Sequence, residues 1–153
     1  MPGIREALKQ LASLGLPLIV ISNQAAVGKG LLDAAHLEAI TVKMHQALVE
    51  DGTTLAAAYY CTHRIEDNCP CRKPKPALLF SAAADFNIDL GRSIFVGDSD
   101  TDVQAARAAG CLSVLFRSDI SLQPTSPPDL PVARRAVDLY AVVAQYLRAA
   151  EHV

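Results

Sequence analysis

The sequence has neither an excess of charge nor a long hydrophobic run, and both absences exclude classes of protein. Its 14 basic and 16 acidic residues give a formal net charge of -2, which provides no electrostatic reason to expect nucleic acid or an anionic membrane as a partner. No apolar stretch reaches the ~20 residues that a membrane-spanning helix needs. The first residues, Met1-Pro2-Gly3-Ile4-Arg5-Glu6, are charged and unlike a signal peptide. We therefore expect a cytoplasmic monomer that acts on a small molecule.

Cysteine is scarce, and its placement favours a metal site over a disulfide framework. Three of the four cysteines, Cys61, Cys69 and Cys71, fall within eleven positions, and His63 lies among them. Small secreted domains spread their cysteines more widely, whereas this clustering beside a histidine is typical of zinc sites. The spacing predicts a closed four-ligand zinc loop over residues 61–71, with free surface thiols as the alternative. The fourth cysteine, Cys111, lies in an apolar run and is predicted to be a core residue.

Apolar patterning predicts a single α/β domain over residues 1–153. Short apolar runs alternate with segments of helical period. This order is typical of a doubly wound, mostly parallel sheet with helices on both faces, a Rossmann-like core. Strands are predicted at 16–21, 55–60, 93–96 and 112–116, and helices at 4–14, from a cap at Asp33 to a turn at Asp51, and at 77–86, 102–109 and 132–150. Four residues of the second helix are predicted to face the core: Leu37, Ile40, Met44 and Leu48. The proline-rich segment 123–131 is predicted to be irregular.

In such sheets ligands bind beyond the carboxyl ends of the strands, and two polar segments stand where phosphate could bind. Ser22-Asn23-Gln24 follows the first predicted strand and could hold a phosphate through a hydroxyl and backbone N–H groups; a polar loop cap is the alternative. In the run Arg72-Lys73-Pro74-Lys75-Pro76, Lys73 could neutralise a phosphoryl group and Arg72 could grip a second anion. A solvated charged face is the alternative for this run.

Two carboxylates follow the strand predicted at 93–96. Asp98 comes directly after that strand and fits Mg²⁺, which takes hard oxygen ligands and few protein contacts. Asp102 stands four residues later, as a second carboxylate of the site or as part of the first turn of the next helix. His36 and His45, nine positions apart on one helix, are predicted to be surface residues.

Together and in this order, the motifs resemble one family. The run from Ser22 to Gly30, the Cys-x-His…Cys-x-Cys loop that continues into Arg72-Lys73-Pro74-Lys75-Pro76, and Gly97-Asp98 with Asp102 are similar to motifs of haloacid-dehalogenase-type phosphatases that act on D-glycero-D-manno-heptose 1,7-bisphosphate. Histidinol-phosphate phosphatases of the same subfamily share nearly all of them. The resemblance reaches to about residue 118 and implies a magnesium-dependent phosphatase of a small phosphorylated sugar.

The resemblance also implies a role for each matching residue. The residues implied to act on the phosphoryl group or the substrate are Ser22, Asn23, Gln24, Ala25, Arg72 and Lys73. The residues implied to act on metals are Asp98 for magnesium, Asp102 behind it, and Cys61, His63, Cys69 and Cys71 for zinc. The sequence departs from the family at three places. Ser22 stands where the family usually has threonine, Ala25-Ala26 stand where it has Ser-Gly, and Lys29 stands where it has arginine. One contact of the substrate loop is therefore expected to differ.

The first motif of the family does not occur in the sequence. Members carry a strand that ends in Asp-x-Asp-Gly-Thr, whose first aspartate attacks phosphorus and whose second acts as acid and base. The chain starts at Met1-Pro2-Gly3, which matches the helix after that strand. Asp51-Gly52-Thr53 follows a helix and is predicted to be a turn with no catalytic role. We therefore expect an N-terminally shortened or degenerate chain that is inactive by itself.

The absent strand would lie in the middle of the sheet, between the strands predicted at 16–21 and 93–96. Because unpaired strand edges are costly, we expect these two strands either to pair directly or to recruit another strand. A non-catalytic, zinc-clamped module that binds sugar phosphate or another chain is the competing function. An in-frame Asp-x-Asp-Gly-Thr encoded upstream of Met1 would favour the enzyme, and its absence would favour the module.

Overall fold

A computed structural model of the chain describes residues 4–116, 132–133 and 136–150. The helices are α1 (Ile4–Ala12), α2 (Ala25–Gly28), α3 (Ala34–Glu50), α4 (Ala77–Phe86), α5 (Asp100–Ala109) and α6 (Ala136–Ala150), with a 3₁₀ turn at Leu90–Arg92. The strands are β1 (Leu18–Asn23), β2 (Leu55–Cys61), β3 (Ile94–Gly97), β4 (Leu112–Phe116) and β5 (Val132–Ala133). All described pairings are parallel: β1 with β2, β3 with β4, and β4 with β5. None of the described helices is long and apolar enough to cross a membrane.

Local sequence signals set the ends of the helices. Helix α3 begins after Asp33, whose side chain accepts a hydrogen bond from the His36 N–H as an N-cap, as predicted. Helix α5 begins after Ser99, which forms a capping box with Asp102. It ends at Gly110, whose φ of 81° lies in the left-handed region that glycine adopts without strain. These caps fix the helices that follow β1 and β3.

Two apolar clusters lie on opposite faces of the sheet layer. One joins α1, α6 and β4 through Leu11, Leu139 and Val114 and includes Ile94 of β3. The other joins α4 and α5 through Leu79 and Ala105 and includes Phe95 of β3. Because neighbouring residues of a strand point to opposite faces, Ile94 and Phe95 place the clusters on the two sides of β3. The predicted helical cover on both faces is confirmed.

The expectation that the first and third strands pair directly is wrong. Among the described strands, β1 pairs only with β2, and β3 only with β4 and not with β1. Both strands nevertheless contact the same two clusters, through Leu18 and Ile21 of β1 and through Ile94 and Phe95 of β3. The helices thus hold β1 and β3 in one layer without hydrogen bonds between them. Instead, the Lys73 ammonium donates a hydrogen bond to the Ile21 carbonyl of β1.

Several predicted boundaries are wrong by a few residues. Strand β1 runs to Asn23, so Ser22 and Asn23 belong to the strand, and the loop after it contains the short helix α2. Ile40 does not face the core: it is 55% exposed, because α3 packs mainly through Leu37 and Leu48. The last helix begins at Ala136 and not at 132, because Val132–Ala133 pairs with β4 as a strand. The segment predicted to be irregular, 123–131, lies outside the described residues.

Candidate functional site

The ammonium group of Lys73 occupies the carboxyl ends of β1 and β3. Its Nζ donates to the Ile21 carbonyl at 2.8 Å and forms an ion pair with Asp102 Oδ1 at 2.6 Å. It also lies 5.5 Å from the centre of the Phe95 ring, within the range of a cation–π contact. The side chains of Lys73 and Asp102 are only 11% and 7% exposed. The alternative of a solvated charged face therefore does not describe Lys73.

Asp102 organises the turn after β3. Its Oδ2 accepts hydrogen bonds from the Asp98 N–H at 3.2 Å, the Ser99 N–H at 3.1 Å and the Ser99 hydroxyl at 2.6 Å. Burial would raise the pKa of Asp102, but hydrogen bonds from Lys73 and Ser99 and the charge of Lys73 outweigh it and hold that pKa below its ordinary value. A side chain at Gly97 would collide with Asp102, so only glycine permits this approach. Asp102 thus belongs to the first turn of α5 and to the site at once.

The side chains at the end of β1 have partners within the protein. Asn23 uses its whole amide group on the backbone of Lys73: Oδ1 accepts from Lys73 N at 3.1 Å, and Nδ2 donates to Lys73 O at 3.2 Å. The Ser22 hydroxyl accepts from Gln24 Nε2 at 3.0 Å. Ala25 begins helix α2. The end of β1 is therefore fastened to the basic run, a link that the separate motifs did not reveal in the sequence.

Asp98 and Arg72 are the other two charged residues that the sequence predicts for the phosphate and magnesium site. Asp98 directly follows β3, and its side chain is exposed. A single exposed carboxylate at a strand end has the donor chemistry that suits Mg²⁺, which keeps several waters. Arg72 is half-buried, and its Nη1 lies 3.5 Å from the His63 carbonyl, so the guanidinium rests on the loop of the cysteines.

The four predicted zinc ligands come together. The ligand atoms of Cys61, His63, Cys69 and Cys71 all lie within 4.8 Å of one another. The three sulfur–sulfur distances are 3.3, 3.4 and 3.5 Å, and His63 Nδ1 lies 3.2 Å from the Cys71 sulfur. A tetrahedral zinc ion with bonds of about 2.3 Å to sulfur needs sulfur–sulfur edges of about 3.8 Å. The sulfurs lie slightly closer together than that edge, and the donor set is that of a structural zinc site.

The cysteines of this cluster differ in acidity. Burial and hydrogen bonds with Cys61 and Cys69 raise the pKa of Cys71 to about 12. Burial also acts to raise the pKa of Cys69, but hydrogen bonds from Cys71 and Cys61 and from the backbone outweigh it and lower that pKa. Because zinc binds thiolates, its binding to these sulfurs would release protons from the cluster.

Contacts tie the cysteine loop to its surroundings on both sides. Lys75 Nζ donates to the Asn68 side chain at 2.6 Å, to the Asn68 carbonyl at 2.8 Å and to the Cys69 carbonyl at 3.0 Å. Arg64 Nε donates to the Gly28 carbonyl at 2.6 Å. A side chain at Gly28 would collide with the Thr62 carbonyl, so α2 packs directly on the loop. The loop therefore holds both the basic run and the segment after β1.

The remaining predicted residues lie where the sequence placed them. Asp51-Gly52 forms a turn in which Gly52 has a φ of 77° and Asp51 pairs with Arg5 at 3.1 Å. His36 and His45 are exposed, and Cys111 is buried among apolar side chains. Sequence reasoning missed Ser99, although its spacing from Asp102 is that of a capping box and could have identified it.

Comparisons with known proteins agree with this geometry. A family model described as HAD-hydrolase-like matches residues 70–142. The D-glycero-beta-D-manno-heptose-1,7-bisphosphate 7-phosphatase of Bordetella bronchiseptica is 36% identical over 96% of this chain and 82% of its own length, and that of Escherichia coli K12 is 34% identical over 89% and 72%. A crystal structure of the B. bronchiseptica D,D-heptose 1,7-bisphosphate phosphatase with magnesium and phosphate superposes with a TM-score of 0.83, at 34% identity, over 97% of this chain and 84% of that one. The chain belongs to the heptose-1,7-bisphosphate 7-phosphatase family of the HAD-like hydrolases.

Proposed function

We propose that this chain forms the phosphoryl-binding site of a phosphatase that removes the 7-phosphate of D-glycero-β-D-manno-heptose 1,7-bisphosphate. The observation that carries the proposal is the position of Lys73. Its ammonium is buried at the carboxyl ends of two strands, where ligands of such sheets bind. An ammonium has three N–H donors, and Ile21 and Asp102 take two of them. The third would donate to a phosphoryl oxygen.

The substrate is proposed from the relatives and from the arrangement of the basic residues. Both relatives described above are named for heptose 1,7-bisphosphate. Arg72 and Lys73 are adjacent, but Lys73 points to the strand ends and Arg72 rests on the His63 carbonyl. Two cations that point to different places suit a substrate with two phosphates. Histidinol phosphate has one phosphate and fits this arrangement less well.

Two metals have distinct proposed roles. Zinc would be held by Cys61, His63, Cys69 and Cys71 and would fix the loop that precedes the basic run. Magnesium would be held by Asp98 and by oxygens of the substrate, where it would offset phosphoryl charge. Asp102 supports Asp98 indirectly, because its carboxylate orients the Asp98 N–H. Ser22 would donate its hydroxyl hydrogen to the phosphoryl group, while the hydroxyl oxygen accepts from Gln24.

The attacking group is the part of the mechanism that we do not assign to a described residue. Asp98 is proposed as a metal ligand and Asp102 is buried against Lys73, so neither is offered as the nucleophile. We propose that hydrolysis needs the Asp-x-Asp-Gly-Thr strand that the resemblance implies. Binding alone does not replace it, because phosphomonoester hydrolysis needs accelerations of up to ~10²¹-fold.

The proposal is tested by phosphate release from each end of the bisphosphate, followed by phosphorus NMR. The 153-residue chain is extended at its N-terminus with an apolar strand that ends in Asp-x-Asp-Gly-Thr, and the matched control has the first of these aspartates changed to asparagine. We expect magnesium-dependent loss of the 7-phosphate by the extended chain and no loss by the control. Preferential hydrolysis of the 1-phosphate, or of histidinol phosphate, would overturn the proposed substrate.

A further inference from the structure

The amide of Asn23 and the backbone of Lys73 form a closed pair of hydrogen bonds. Lys73 N donates to Asn23 Oδ1 at 3.1 Å, and Asn23 Nδ2 donates to Lys73 O at 3.2 Å. A primary amide has the same donor and acceptor as a peptide unit, so it can occupy both backbone groups of one residue. Aspartate has the acceptor but no donor, and leucine has neither. The pair therefore depends on an amide side chain at this position.

Strand β1 holds Lys73 at both of its ends. Asn23, the last residue of β1, fixes the backbone of Lys73, and the Ile21 carbonyl, two residues earlier, accepts from Nζ at 2.8 Å. Fifty positions separate Asn23 from Lys73 in the sequence, so no local chain geometry brings them together. Fixing both ends of a long side chain removes rotamer freedom before a ligand binds. The ammonium is then already in place for an anion.

We propose that Asn23 is a positioning residue that acts on the phosphoryl group through Lys73 and not by direct contact with the substrate. The inference rests on the proposed function, because it assumes that Lys73 binds the phosphoryl group. Under this inference Asn23, the second residue of the Ser22-Asn23-Gln24 segment, serves to position the basic run. Ser22 and Gln24, which are hydrogen-bonded to each other, keep the substrate contacts that the resemblance implies.

The inference is tested by a double-mutant cycle. The measured quantity is the affinity of the zinc-loaded full chain for inorganic phosphate, determined by calorimetry in the presence of magnesium. The variants are Asn23→Ala, Lys73→Met and both together, with Gln10→Ala on the exposed face of α1 as a distant control. One positioned hydrogen-bond pair corresponds to a change in affinity of about tenfold. We expect Asn23→Ala to weaken phosphate binding about tenfold in the parent chain and less than about twofold once Lys73 is methionine.

Each result is decisive. Equal weakening by Asn23→Ala in both backgrounds would show that Asn23 acts without Lys73 and would overturn the inference, as would unchanged affinity in the parent chain. Unchanged affinity in Lys73→Met alone would overturn the proposed function itself, so the two failures are distinguishable. If Asn23→Ala does not fold, Asn23→Leu keeps the volume of the side chain and removes both hydrogen bonds, and the same non-additivity is expected.

Discussion

Replacing Lys73 by methionine tests the electrostatic core of the site. The change keeps the length of the side chain and removes its charge, which leaves Asp102 Oδ1 without the ammonium that lies 2.6 Å away. Breaking a buried ion pair by removing one partner costs about 3–5 kcal/mol. Asp102 Oδ2 retains its three hydrogen bonds from Asp98 and Ser99, so we expect the lower end, about 3 kcal/mol. That loss is a large part of a typical total stability of about 5–15 kcal/mol.

Urea unfolding of the zinc-loaded chain, followed by circular dichroism, measures this loss. The matched controls are Asp102→Asn and the double variant. Only the double variant leaves no charge unpaired, so it should recover most of the lost stability. The loss should also depend on pH. Since Lys73 holds the pKa of Asp102 below the ordinary value of 3.8, the stability from this pair is present above about pH 3.8 and disappears as the pH falls through the folded pKa. A Lys73→Met chain within about 1 kcal/mol of the parent at neutral pH would refute the reasoning.

Three further perturbations probe the rest of the structure. Metal analysis of the purified chain should find one zinc ion. Cys69→Ser should abolish zinc binding, whereas Cys111→Ala, which lies outside the cluster, should not. A chain without zinc after growth in zinc-replete medium would contradict the site. Gly28→Ala should destabilise the chain by about 1–3 kcal/mol in urea because its new methyl meets the Thr62 carbonyl, whereas equal loss in Gly91→Ala would point to a general effect of losing glycine. An added apolar strand ending in Asp-x-Asp-Gly-Thr should raise the thermal midpoint, since it could pair with β1 and β3; an unchanged midpoint would argue against a place for it between them.

The elements that sequence reasoning placed well have strong local signals. Helix α4 and strand β4 begin and end at the predicted residues, because both are mostly apolar and lie close to turn-forming residues, Pro76 and Asn87 beside α4 and Gly110 before β4. The clustering of Cys61, His63, Cys69 and Cys71 was predictable because all four residues lie in one short stretch of sequence. Asp33 and Gly110 marked helix ends through cap chemistry that needs no tertiary contact.

The features that the sequence did not reveal depend on long-range contacts. The link between Asn23 and Lys73 spans 50 positions and carries no local pattern. Val132–Ala133 is a strand because β4 offers it an edge, although its residues also suit the helix predicted there. Ile40 has helical spacing from buried neighbours yet is exposed, since periodicity predicts a face and not whether another element covers it.

The most direct test of the central claim is phosphate release from heptose 1,7-bisphosphate by the 153-residue chain itself, loaded with zinc and supplied with magnesium, alongside calorimetric binding of the same compound. We propose that Lys73, Asn23 and Asp102 build a phosphoryl-binding site, and that hydrolysis at this site needs the Asp-x-Asp-Gly-Thr strand. The account predicts binding that Lys73→Met weakens, with no phosphate released. Phosphate release that disappears in Asp98→Ala would contradict it, because the site would then turn over its substrate without the added strand.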